Sequence, residues 1–134
     1  MTIGLSVNAL ISIVDDDEEY REALAMLMKS LRFWARTFSS AAEFLASPYL
    51  AKTSCLIADV NMPGTTGVEL HGQLVRLGHA IPTILITAYP DEAVRARALE
   101  QGVIAYLSKP CNEGVLFGLV VSALKPPKTG RNGP

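Results

Sequence analysis

Short apolar runs alternate along the chain with longer stretches in which apolar residues recur every three or four positions. Leu10–Val14 is continuous, rich in β-branched residues and stopped by acids, the pattern of a strand buried on both faces. Tyr20, Leu24, Leu27, Met28 and Leu31 then form one helical stripe. Trp34–Phe38 is a weaker strand pattern. Ser40-Ala41-Ala42-Glu43 has capping-box spacing, so a short helix is expected to start there and end near Pro48. Cys55–Ala58 reads as a third strand and again runs into an acid, Asp59. The turn at Met62-Pro63-Gly64 leads to a helix carrying Val68, Leu70, Leu74 and Leu77, closed by Gly78. Thr83–Ile86 is the clearest strand. Tyr89-Pro90 breaks it, and Pro90 suits the start of a helix carrying Ala93, Val94, Ala96, Ala98 and Leu99 and ending at Gly102. Ile104–Leu107 and Val115–Leu124 complete the alternation as a strand and a helix.

Five strands separated by helices predict an α/β fold with a parallel sheet covered on both faces. Right-handed crossovers favour a doubly wound five-stranded sheet of order 2-1-3-4-5. The expected domain spans residues 8–124, and 125–134, with its Pro and Gly breakers and no apolar pattern, is expected to be a disordered tail. The length of 134 residues fits one such domain.

Composition narrows the function. Twelve Lys+Arg against thirteen Asp+Glu leave a net charge of −1, without the basic excess of a nucleic-acid binder. No apolar run approaches the roughly 18 residues of a membrane span. The acids from Asp15 to Glu19 also argue against a secretory leader. Two cysteines, Cys55 and Cys111, are too few for a disulfide framework, so a reduced, cytoplasmic protein is expected.

The chemistry gathers at the carboxyl ends of the strands. Strand one ends at Asp15-Asp16-Asp17, strand three at Asp59, strand four at Thr87 and strand five at Ser108-Lys109-Pro110. In the expected order, ligands bind beyond these ends, between strands one and three, so Asp15 or Asp16 should face Asp59. Two carboxylates about 4 Å apart repel by roughly 4 kcal/mol at an effective dielectric near 20. One lysine offsets one charge. A divalent ion with oxygen ligands offsets the rest, and Mg²⁺ suits one or two carboxylates, a carbonyl and waters. Because Mg²⁺ favours phosphate oxygens, a phosphoryl ligand is the natural partner. A carboxylate can attack phosphorus to give an acyl phosphate. Lys109 and the Thr87 hydroxyl stand ready to meet its oxygens, a local charge change of the kind that drives a switch.

Four separated motifs carry a resemblance: Ile13-Val14-Asp15-Asp16-Asp17, Ala58-Asp59-Val60-Asn61-Met62-Pro63-Gly64 with Gly67 beyond it, Ile86-Thr87-Ala88, and Tyr106-Leu107-Ser108-Lys109-Pro110. Together they resemble the receiver domain of two-component response regulators, a CheY-like, flavodoxin-like fold, from about Leu10 to Leu124. The resemblance implies that Asp59 is the phosphoacceptor, charged from the histidine of a sensor kinase or from a phosphotransfer protein. It implies Mg²⁺ held by Asp15, Asp16, Asp59 and the backbone carbonyl of Asn61, phosphate held by Lys109 and Thr87, and Thr87 with Tyr106 as the switch pair. It further implies a cis peptide before Pro110. The output would be a changed face of the fourth helix, fifth strand and fifth helix, read by an effector protein or by a second copy in a homodimer. Direct contact with nucleic acid or membrane is not expected. Asp17 is a third acid, expected to be exposed at a helix start, and Cys111 stands where many relatives place a bulky apolar residue.

A haloacid-dehalogenase-like phosphatase is the alternative, since Asp15-Asp16-Asp17 contains D-x-D spacing with Asp15 as nucleophile. Glu18-Glu19 and the missing cap insertion argue against it. A flavodoxin-like cofactor carrier fails because five acids would repel a phosphate from the first loop. His71 and His79 read as surface residues, Cys55 as inert core and Trp34 as a packing residue.

Overall fold

The computed structural model describes residues 9–125. The expected tail, 125–134, therefore lies outside the described residues apart from Lys125. The strands are β1 (Leu10–Val14), β2 (Trp34–Phe38), β3 (Cys55–Asp59), β4 (Thr83–Thr87) and β5 (Ala105–Ser108). The helices are α1 (Glu18–Ser30), α2 (Ala41–Leu45), α3 (Gly67–Arg76), α4 (Glu92–Glu100) and α5 (Glu113–Leu124), with a 3-10 turn at Leu50–Lys52. The sheet is parallel throughout, in the order β2-β1-β3-β4-β5. Among the described residues no helix is long and apolar enough to cross a membrane.

Strand alternation divides the core in two. Ile11, Ile13, Ile57, Ile84 and Ile86 face α1 and α5, where they meet Leu24, Met28, Leu116 and Val120. Their neighbours Val14, Leu56, Ala58 and Leu85 point the other way, onto Phe44, Leu70, Leu74 and Ala98. Every residue of β1, β3 and β4 is buried, which is why these segments read as largely apolar runs, with Ser12 the one polar residue inside them. Gly78 and Gly102, at φ +83° and +101°, turn the chain out of α3 and α4 in a backbone conformation that costs other residues energy.

Three local expectations need correction. His71 is buried, only 5% exposed, because Gly67, Leu70, His71 and Leu74 form the buried stripe of α3 at three- and four-residue spacing. Burial lowers its pKa, and its Nδ1 has no hydrogen-bond partner among the described residues. Trp34 is 63% exposed: β2 is an edge strand whose alternate residues, Trp34 and Arg36, face outward. Pro90 lies outside α4, and Asp91 caps that helix instead, its carboxylate accepting from the N–H groups of Ala93 (2.9 Å) and Val94 (3.2 Å).

The fourth helix buries only Ala98 fully and so depends on that cap. Asp91→Ala is expected to cost about 1 kcal/mol in denaturant unfolding and to raise amide exchange across α4 before other helices. Unchanged exchange in α4 would contradict this dependence.

Candidate functional site: an acidic cleft at the strand ends

The acid run after β1 separates into three roles. The Asp15 N–H donates to the Phe38 carbonyl (3.0 Å), continuing the β1–β2 ladder past its end and burying the side chain completely. One Asp15 oxygen, Oδ1, accepts from the Asp17 N–H at 2.9 Å, while Arg21 donates to the Asp15 carbonyl at 3.1 Å. Asp16 stays exposed at the rim. Asp17 is the N-cap of α1, accepting from the Tyr20 N–H at 3.2 Å, so the third acid sits at the helix start as expected.

Asp59 is the last residue of β3, and β1 and β3 are neighbours, so their terminal acids converge. Carboxylate oxygens of Asp15, Asp16 and Asp59 lie within 4.8 Å of one another. From the end of β5 the Lys109 ammonium reaches Asp15 Oδ2 at 2.9 Å and Asp59 Oδ1 at 3.7 Å. The closer approach is ionic, since Asp15 Oδ2 accepts no hydrogen bond among the described residues. Asp59 is 4% exposed, and its Oδ1 also takes a long hydrogen bond from the Asn61 N–H (3.4 Å). Burial and then the Asp15 charge push the Asp59 pKa up to about 6, against the opposing pull of Lys109. Burial alone would lower the Lys109 pKa, but the contact with Asp15 outweighs it and the net shift is upward.

Thr87 ends β4, fully buried, and its hydroxyl donates to Asn61 Oδ1 (2.6 Å) while accepting from the Tyr89 N–H (2.9 Å). Tyr106 lies on β5, half-buried, and its hydroxyl accepts from the Asp91 N–H at 3.1 Å. The Lys109–Pro110 peptide is cis. Asp15, Asp16, Asp59 and Lys109 thus meet in one cleft; Thr87 joins it through Asn61, and Tyr106 joins α4 to β5 on the adjoining face.

Sequence reading missed Tyr20 as a site residue and the contacts that Asn61 and Gly67, both named with the Asp59 motif, make at the site. Tyr20, read only as part of an apolar stripe, places its ring 4.6 Å from the Lys109 ammonium. The Asn61 side chain links Thr87 to the loop after Asp59. Gly67 sits so close to the Asp59 carbonyl that a Cβ there would stand 2.5 Å from its oxygen. Tyr20 could have been flagged by its polar tip on an otherwise apolar stripe one turn beyond the acids. The other two stand within the motif around Asp59, but the contacts they make depend on the course of the loop and could not be read from the residues.

The family model for the response regulator receiver domain matches residues 11–120. This chain belongs to the response regulator receiver domain family. The receiver domain is 37% identical over 127 residues to the response regulator protein TmoT of Ectopseudomonas mendocina, covering 94% of this chain and 58% of that one. It is also 37% identical over 118 residues to nodulation protein W of Bradyrhizobium diazoefficiens, covering 88% and 52%. The chain therefore spans little more than half the length of these curated relatives. Among solved structures it resembles the response regulator StyR (TM-score 0.81, 36% identity, 87% of this chain and 59% of that one). A receiver protein from Burkholderia phymatum matches with TM-score 0.75 and 38% identity, covering 87% and 95%. The family is one of signalling proteins, and the phosphatase alternative has no support from it.

Proposed function

We propose that this receiver domain, residues 8–124, accepts a phosphoryl group on Asp59 from the phosphohistidine of a sensor kinase or phosphotransfer protein in the cytoplasm. The observation that carries the reading is a buried Asp59 facing both a cationic lysine and two further acids. Asp59 Oδ1 is turned to Asn61 and Lys109, which leaves Oδ2 to attack. The Oδ2–P bond forms as the P–N bond of the donor breaks, and the departing imidazole keeps the electron pair. Lys109, 3.7 Å from Oδ1, needs only a small swing to meet a phosphoryl oxygen and offset its new charge. The Thr87 hydroxyl would exchange its Asn61 acceptor for another phosphoryl oxygen, releasing Asn61 and the Tyr89 N–H. Tyr106 lies on the face that this change would reach, where an effector or a second copy could read it. Chemistry on other substrates is not part of this reading: the domain would only gain and lose its own phosphoryl group.

The donor set fits Mg²⁺: all are hard oxygens, one is a buried carboxylate oxygen without a hydrogen bond, and three carboxylates share one lysine. Asp15, Asp16, Asp59 and the Asn61 carbonyl would hold it. When bound, the ion supplies positive charge for the acids and for the transferring phosphoryl oxygens.

The test is incubation with Mg²⁺ and acetyl phosphate, followed by intact mass. One acid-stable, base-labile phosphoryl group is expected, absent in Asp59→Asn. Labelling that survives Asp59→Asn but not Asp15→Asn would instead support the phosphatase reading. Lys109→Ala removes the only cation ion-paired with the carboxylates of Asp15 and Asp59 among the described residues. It is expected to lower thermal stability in metal-free buffer at pH 7 and to regain much of the loss in millimolar Mg²⁺. A loss that Mg²⁺ leaves untouched would count against a metal site at these acids.

A further inference from the structure

We infer that Tyr20, locked in place by Cys111, is a positioning residue that holds the Lys109 ammonium at the acidic cleft. This builds on the proposed role of Asp59. Lysine carries a compact charge on a flexible four-carbon stem, and two carboxylates compete for it. Something must fix where the ammonium rests. It lies 2.9 Å from Asp15 and 3.7 Å from Asp59, and 4.6 Å from the centre of the Tyr20 ring. The face of an aromatic ring carries negative potential, and the lysine side chain is only 13% exposed, so this attraction is weakly screened.

The ring is itself fixed. The Tyr20 hydroxyl lies 3.3 Å from Cys111 Sγ in a hydrogen bond and accepts the Cys111 N–H at 3.4 Å. Burial and the bond to Cys111 raise the phenol pKa, so it stays neutral. Cys111 is two residues beyond Lys109, so one tyrosine grips both the ammonium and the backbone that carries it. Tyr20 also belongs to the first turn of α1, whose cap residue Asp17 donates to Asp15. Both members of the Lys109–Asp15 pair are therefore tied to the start of α1. The ammonium waits on the Asp15 side, within reach of an oxygen arriving on Asp59.

The test combines NMR of the lysine side chains with the kinetics of phosphoryl uptake from acetyl phosphate. Protons over a ring face are shifted upfield, and the Lys109 ε-methylene is expected to show this in the wild type. Tyr20→Leu should remove the shift and slow uptake by about 5- to 10-fold. Tyr20→Phe keeps the ring but loses both hydrogen bonds to Cys111, and Cys111→Val keeps the bulk but loses the one to Sγ; each should diminish the shift and slow uptake about 3-fold. Their double variant should be no slower than either alone, whereas Cys111→Ser, which can still hydrogen-bond, should retain the shift and the rate. Lys109 signals that stay at wild-type positions in Tyr20→Leu, or wild-type uptake in that variant, would overturn the inference and leave the phosphoacceptor reading standing. A wild-type domain that takes no phosphoryl group on Asp59 would sink that reading, and the NMR shifts would still decide what holds Lys109.

Discussion

Asp59→Asn is expected to abolish phosphoryl uptake and, in the same protein, to raise stability at pH 7 in metal-free buffer. The second effect follows from the cleft's electrostatics. The Asp59 pKa is raised from its usual 3.8 to about 6, by burial first and by Asp15 second. The folded state therefore holds the proton more tightly than the unfolded chain does. Below pH 3.8 the carboxyl is protonated in both states and costs nothing. Between 3.8 and about 6 the folded state binds the additional proton, so stability falls as pH rises. Above about 6 the penalty is complete. Such a shift corresponds to roughly 3 kcal/mol, and water in the cleft reduces it, so the gain from Asp59→Asn should be on the order of 1–2 kcal/mol. Thermal unfolding of the two proteins from pH 4 to 8 checks this. The curves should converge at the acid end and separate through pH 6. Mg²⁺ should narrow the gap by stabilising the wild type more. Equal stability at pH 7, or a gap that widens toward pH 4, would mean that the acids do not strain one another.

Gly67→Ala should be the most damaging small substitution near the cleft. Gly67 opens α3, and its N–H donates to the Val60 carbonyl at 3.1 Å. An added Cβ would stand 2.5 Å from the Asp59 carbonyl oxygen, 3.1 Å from the carbon bearing it and 3.0 Å from Leu85 Cδ2. Two of these atoms are backbone at the end of a buried strand and cannot rotate away. Either α3 lifts from the sheet or the end of β3 moves, and Asp59 moves with it. The expected cost is on the order of 2–3 kcal/mol, a fall of roughly 10 °C in Tm. Phosphoryl uptake should fall about 10-fold or more as its nucleophile is displaced. Gly72→Ala is the contrast. It lies within the same helix, and its new Cβ would meet only Arg76 Nη1, at an ordinary 3.5 Å. That change should be neutral or stabilise by about 0.5–1 kcal/mol. Matching melting curves for the Gly67 and Gly72 variants would refute the packing argument.

The sheet was legible because its three central strands are buried on both faces. Only the small, buried Ser12 interrupts Leu10–Val14, nothing polar interrupts Cys55–Ala58, and acids stop both runs at the strand ends. The acids were legible for the same reason: parallel strands put every carboxyl end on one edge, so a strand order is enough to bring Asp15 and Asp16 to Asp59. The edges read less well. At Trp34 an aromatic residue suggested packing, but an edge strand turns alternate side chains to solvent. His71 looked like a surface histidine because its polarity outweighed its register, although it falls between Leu70 and Leu74 on the buried stripe.

By itself, then, the sequence determined the strand order, the acidic edge and the residues that meet there, because burial periodicity and right-handed crossovers leave few ways to stack five such units. Tertiary structure alone decided which partner each polar atom takes. It gave Lys109 to Asp15 more closely than to Asp59, seated Tyr20 between Lys109 and Cys111, turned the Thr87 hydroxyl to Asn61 and pressed Gly67 against the Asp59 carbonyl. Those choices rest on differences of about an ångström between groups far apart in the chain, a scale that side-chain packing sets and periodicity does not encode.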